Sequence, residues 1–86
     1  MPFQLIWTEE IKKELKSIEK TVGERIYKKI VWANENNSLF LEKVEGTDYL
    51  KYRVGAYRAF FEKGPENTLF ALTVKHRSTA YKRIKK

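Results

Sequence analysis

Residues 49–62 read YLKYRVGAYRAFFE, and this stretch decides how the rest of the chain must fold. Two short runs of aromatic and β-branched residues flank Gly55-Ala56. A glycine at the first of two central positions is what a type II′ two-residue hairpin requires, because that position takes a positive φ. With Val54 and Tyr57 closing the turn, Tyr52 faces Ala59 and Leu50 faces Phe61, since side chains alternate at period two. That face is almost wholly apolar. The other sets Arg53 against Arg58, Lys51 against Phe60 and Tyr49 against Glu62, so three cations share one side of the ribbon. Like charges directly opposed on a sheet cost a few tenths of a kcal/mol or more, roughly, unless an anion relieves them. A polyanion would.

Downstream, Gly64-Pro65-Glu66-Asn67 has the proline expected at the second position of a turn. Thr68 to Val74 (TLFALTV) is apolar on both faces, which predicts a central strand covered on both sides and running into Lys75-His76-Arg77. Antiparallel pairing with the second hairpin strand sets the end of one beside the start of the other, so Arg58 and His76-Arg77 are expected to be neighbours. Ser78 to Lys86 (STAYKRIKK) reads as a short basic helix or tail.

Upstream, Asn37 to Asp48 reads as a loop stapled to the core by Leu39-Phe40-Leu41, with no legible chemistry. Phe3 to Trp7 predicts a strand, apolar enough to be covered on both faces if it lies inside the sheet. Thr8 is a candidate N-cap for a first helix, with Glu9 and Glu10 in its first turn and Ile11, Leu15 and Ile18 on one stripe, to about Lys20. Thr21-Val22-Gly23-Glu24 fits a capping box that opens a second helix, ending at Asn36-Asn37. Trp32, among apolar helical neighbours, is assigned to packing. The expected fold class is α+β, a single domain over residues 1–86: an N-terminal strand, an antiparallel two-helix hairpin, three antiparallel strands and a short basic C-terminal segment. Helices cover one face of the sheet and the cationic face lies opposite.

Composition narrows the function. A chain of 86 residues builds one core. With no cysteine, disulfides and thiolate metal sites are excluded, which suits a reducing compartment. The N-terminal apolar run Leu5-Ile6-Trp7 is too short for a signal peptide or a membrane span, so a cytoplasmic protein is expected. The net charge of +7 is unevenly placed: residues 1–48 hold 8 basic and 9 acidic side chains, residues 49–86 hold 10 and 2. Asymmetry of this kind points to a nucleic-acid surface, against the plainer alternative of a solvated charged face.

The order of elements, the string Tyr52-Arg53-Val54-Gly55-Ala56-Tyr57-Arg58, and His76-Arg77 followed by Tyr81 together resemble the RelE/ParE superfamily of toxins from toxin–antitoxin pairs. Ala56 stands where an acidic turn residue is usual, and Tyr52 where Leu is usual. The resemblance implies a RelE-like endoribonuclease that cuts messenger RNA, typically on the ribosome, and is silenced by a cognate RelB-like antitoxin. The implied chemistry is attack of a ribose 2′-OH on the adjacent phosphate, with neither metal nor cofactor. Such a reaction needs a base, cations for the phosphorane charge and a group to protonate the departing 5′-oxygen. A single histidine cannot supply a His/His pair.

By resemblance, Lys51 is the base-like lysine, Arg58 the phosphate-binding arginine, Arg77 the acid or leaving-group stabiliser, and Tyr81 the tyrosine that stacks on or orients the nucleotide. His76 competes with Arg77 for the acid role, with Arg77 ranked first. Tyr49 occupies the position of a second lysine found in some members. Arg53, Lys75, Lys82 and Arg83 are assigned to gripping RNA backbone. Two other readings stay open: a ParE-like inhibitor of DNA gyrase, and a non-catalytic RNA- or ribosome-binding module.

Overall fold

The structure is a computed structural model and describes residues 2–77. The chain order is β1 (Gln4–Trp7), α1 (Glu9–Ser17), α2 (Lys20–Glu35), β2 (Glu42–Lys43), β3 (Leu50–Val54), β4 (Tyr57–Lys63) and β5 (Thr68–His76). These strands form one sheet in the order β1-β5-β4-β3-β2. The pairs β5-β4, β4-β3 and β3-β2 are antiparallel and β1 runs parallel to β5. The class is α+β, as expected.

The hairpin register is the one that the glycine dictates. Val54 pairs with Tyr57, Arg53 with Arg58, Tyr52 with Ala59, Lys51 with Phe60 and Leu50 with Phe61. Gly55 has φ +60 while Ala56 stays out of the left-handed region, which is the II′ pattern rather than I′. Ala59 and Phe61 are fully buried against Ile11, Ile26, Ile30 and Ala33 of the helices, together with Leu69, Ala71 and Val74 of β5. Both helices therefore sit on one face of the sheet.

Strand β5 is central, but it does not run straight. Phe60 pairs with Thr73 and Phe61 with Ala71, so Leu72 is the extra residue of a bulge. That one-residue slip puts Ala71 and Leu69, rather than Leu72 and Phe70, into the core; a strand apolar on both faces permits either choice. Thr8 fastens the bulge. Its hydroxyl donates to the carbonyls of Ala71 and Leu72 at 3.0 and 3.1 Å, and its oxygen accepts from the Ile11 N–H as N-cap of α1.

Several expectations need correction. Helix α1 ends at Ser17, short of Lys20, and α2 begins at Lys20 with Glu19 as a cap that makes no side-chain hydrogen bond. No capping box forms, because Thr21 already lies inside the first turn and its hydroxyl donates to the Glu19 carboxylate instead. The helical crossing explains the shift. A Cβ on Gly23 would stand 2.6 Å from the Leu15 carbonyl oxygen, so the helices approach as only glycine allows. Strand β1 is an edge rather than an interior strand, and its Ile6 is exposed. Trp32 is 52% exposed, with the Lys29 ammonium 4.8 Å above its ring, so it is not core. The stretch expected to be only loop contains β2, which extends the sheet past the hairpin.

The stop at Asn36-Asn37 holds for a definite reason. Asn37 takes φ 54, its N–H donates to the Asn34 carbonyl and the Ser38 N–H donates to the Ala33 carbonyl, the two bonds of a Schellman ending. Just before it, Asn34 is buried and bonded at both ends of its amide: its Oδ1 accepts from the Phe3 N–H at 2.9 Å and its Nδ2 donates to the Phe3 carbonyl at 2.8 Å. That pair of bonds fixes the entry of β1 against the end of α2.

Candidate active site

Alternation from the buried residues puts Lys51, Arg53 and Arg58 on the face without helices. Their cross-strand order follows from the register: Arg53 beside Arg58 beside Lys75 in one row, and Glu42 beside Lys51 beside Phe60 in the next. Glu42, Lys51, Arg53 and Arg58 enclose a pocket of about 250 Å³. Sites that take drug-sized molecules usually run to roughly 300–1,000 Å³, so this pocket suits a smaller ligand. Among the described residues the ion pairs are Lys12–Glu9 and Lys75–Glu14, and neither uses a cation of the pocket. Three positive charges thus converge on one concavity without an internal carboxylate closed onto them.

The other assigned residues are placed differently. Lys75 is committed elsewhere. Its ammonium lies 2.7 Å from Glu14 Oε2, and both side chains are only 20% exposed. The second oxygen of Glu14 accepts from the Thr73 hydroxyl at 2.6 Å and from the Val74 N–H at 2.9 Å. Burial alone would raise the Glu14 pKa, but hydrogen bonds from Lys75, Thr73 and Val74 and the Lys75 charge outweigh it and hold the carboxyl below its ordinary value of 4.5. The arrangement is possible because β1 pairs with β5 only as far as Ala71, which leaves the β5 edge open for α1 to cover. Lys75 is therefore a structural ion-pair partner and not one of the cations that line the pocket.

His76 pairs with Tyr57 and meets its ring edge-on, centroids 5.3 Å apart at 88°. Tyr57 shares the helix side of the sheet with Ala59, so His76 falls on the opposite face from Arg58. Arg77 is held beside the hairpin turn, its N–H donating to the Ala56 carbonyl at 2.7 Å, and its side chain is exposed. The expected closeness of Arg58 to the end of β5 is thus met in the backbone. Tyr81, Lys82 and Arg83 lie outside the described residues.

Glu42 was missed because it sits in what reads as loop. A signal was present: Val44-Glu45-Gly46-Thr47-Asp48 is a glycine-containing connection between two apolar runs, the pattern of a short hairpin. The turn is tightly built, with Gly46 at φ +80 and the Val44 N–H donating to the Tyr49 carbonyl at 2.9 Å. The Thr47 hydroxyl donates to the Val44 carbonyl and accepts from the Tyr49 N–H. Among the described residues no group of three or more His, Cys, Asp or Glu could hold a metal ion, and no helix is long and apolar enough to cross a membrane.

A sequence model of the ParE toxin of type II toxin–antitoxin systems, parDE, matches residues 5–81. The chain belongs to that family, within the RelE/ParE toxin superfamily. Among solved structures it is similar to a chain of the RelB–RelE antitoxin–toxin complex from Methanococcus jannaschii: 26% identity, 91% of this chain and 96% of that one covered, TM-score 0.69. It is also similar to a chain of the intact RelBE toxin–antitoxin complex from E. coli, with 25% identity, 86% and 95% covered, and TM-score 0.64. The RelBE2 toxin–antitoxin complex from Mycobacterium tuberculosis, at 17% identity, 90% and 100% covered and TM-score 0.71, shares the fold. No curated protein gave a significant match.

Proposed function

We propose that this toxin is an endoribonuclease that cuts messenger RNA on the ribosome by attack of a ribose 2′-OH on the neighbouring phosphate. The observation that carries the reading is the convergence of Lys51, Arg53 and Arg58 on one small pocket, uncommitted to carboxylates of the described chain. A pentacoordinate phosphorane carries one more negative charge than the diester, and preorganised guanidinium groups stabilise it more than the ground state. In this reading Arg58 binds the phosphorane in a bidentate manner, Arg53 grips an adjacent phosphate, and Lys51 takes the 2′-OH proton. Arg77, beside the turn, protonates or stabilises the departing 5′-oxygen. Tyr81 orients the nucleotide, while Lys82 and Arg83 hold backbone. The pocket stands on the sheet face that the helices leave uncovered, so a RelB-like antitoxin that silences the toxin has to cover or distort it.

Match to the ParE family favours a second reading, inhibition of DNA gyrase, in which the same cations contact a protein or DNA surface. Primer extension on a translated message after induction separates the two. Discrete new 5′ ends within codons, bearing a 5′-hydroxyl while the upstream fragment ends in a 2′,3′-cyclic phosphate, support the nuclease. Intact message together with loss of gyrase supercoiling overturns it.

A further inference from the structure

The sheet face that carries the cations is not charged throughout. Ala59 and Phe61 are fully buried on the helix side, so Phe60 between them stands on the open face, half-buried and outside the core. Its register partner is Lys51, and Arg58 lies two residues back along the same strand, on the same side. Tyr49 falls on that side as well. The Val44 N–H donates to its carbonyl, so the strand ladder and its alternation extend to Tyr49, two residues before Lys51. Tyr49 is 46% exposed and sits on the cross-strand diagonal from Phe60, a spacing that aromatic side chains can bridge. One row further on, exposed Glu62 pairs with Phe70. Positive charge therefore ends at the row of Lys51 and Phe60, and aromatic surface begins there.

That order fits a ligand whose repeat joins an anion to a flat apolar ring. Proteins hold single-stranded nucleic acid in this way, with cations along the backbone and aromatic rings under the bases. Two residues of extended strand span roughly 7 Å, comparable to the reach from a phosphate to its own base. The Glu62 carboxylate beyond the rings sets the direction: backbone is drawn to the arginine end and the base to the aromatic end. An apolar protein segment would cover the same rings but brings no counter-charge for Lys51, Arg53 and Arg58.

We propose that Phe60, with Tyr49 beside it, is a stacking platform for the base next to the phosphate bound by Arg53 and Arg58, so that the site holds purines more tightly than pyrimidines. The inference rests on reading the cationic pocket as a phosphodiester site. Stacking needs no hydrogen-bond match, so the platform grades bases by ring area and does not read a single letter.

The test is fluorescence anisotropy with the intact toxin and three dye-labelled 2′-O-methyl strands, which 2′-OH attack cannot cut: oligo(A), oligo(U) and a strand of equal length without bases. The wild type is expected to bind oligo(A) about tenfold, and oligo(U) a few-fold, more tightly than the abasic strand. Phe60→Leu keeps an apolar side chain and draws oligo(A) and oligo(U) together, toward the abasic value, while the abasic strand binds as before. Tyr49→Leu, at an exposed position, shifts them the same way by less. Arg53→Ala weakens all three strands alike, since it meets only backbone. Equal weakening of all three strands in Phe60→Leu overturns the proposal, because it reports damage to the sheet and not lost stacking. Unchanged affinities in both Phe60→Leu and Tyr49→Leu overturn it too, and leave the patch to a protein partner. The two readings fail separately: base-graded binding that needs Phe60, without any cleavage of message, removes the nuclease and keeps the platform, while cleavage with an undiminished purine preference in Phe60→Leu does the reverse.

Discussion

Arg58 and Lys75 are register partners on adjacent strands, yet they belong to chemically different regions. Around Lys75, at the open edge of β5, Glu14 of α1 supplies one oxygen to the ammonium and the other to Thr73 and Val74. Around Arg58, on the neighbouring strand β4, the carboxylate that shares its pocket is Glu42, from the next cross-strand row, and among the described residues it is not closed into an ion pair. The difference lies in what the helix can reach. A row of cations on a sheet is not yet a binding site; the positions left without an internal counter-charge are. Net charge of +7 counts both regions alike, and only the fold tells them apart.

Removing the reactive side of the comparison should have the largest effect. Arg58→Ala is expected to lower the rate of RNA cleavage by about 10²–10³-fold, the usual loss for one preorganised charge-stabilising donor. Together with Arg77→Ala it should abolish growth arrest on expression while circular dichroism stays unchanged. Growth arrest that survives the double change would remove both arginines from the roles assigned to them.

Breaking the structural side should instead cost stability. Glu14→Ala leaves Lys75 half-buried without a partner and opens the β5 edge, for an expected loss of about 2 kcal/mol in urea unfolding. The pH dependence has a definite sign. Glu14 is held below 4.5 in the folded chain, so its contribution is present above that value and lost as pH falls through the lower, folded value. Wild type and Glu14→Gln should therefore differ at neutral pH and converge in acid, as pH falls from 4.5 through the lower, folded value. A gap that stays constant across that range would mean that Glu14 acts by packing rather than charge.

How much of this was legible before the structure depends on how local the determinants are. The hairpin face was readable in full, since Gly55 pins the register and alternation then assigns every neighbour from Leu50 to Phe61. Strand β2 was not, because two residues are too few to show a period and only the glycine-containing turn after it hinted at a hairpin. Nor was the Leu72 bulge: a strand apolar on both faces carries no mark of which residue is skipped, and the deciding contact comes from Thr8, far away in the chain. The same holds for Lys75, whose partner lies 61 residues earlier. His76 and Arg77 read as rivals for one role with Arg77 ranked first, whereas the fold puts His76 on the helix side of β5 beside Tyr57 and Arg77 just past the strand, beside the hairpin turn. Gly23 reads as part of a capping motif until the second helix is present to require its missing side chain.

The smallest expected effect is also the sharpest on the comparison, because it asks the two cations one question. Each Lys or Arg that neutralises a phosphate of single-stranded RNA adds roughly 0.7 to the slope of log binding constant against log salt. Arg53 lines the pocket and carries no described ion pair, so Arg53→Ala should reduce that slope by about this amount. Lys75 is already neutralised at 2.7 Å, so Lys75→Met should leave the slope where it was, although it removes a positive charge from the same face. Stability must be checked first, since losing Lys75 also strands Glu14, and the titration belongs at a temperature where both variants remain folded. Equal reductions by the two substitutions would show that RNA draws Lys75 away from Glu14. The ion pair would then be a latch that opens on binding rather than a fixed part of the fold.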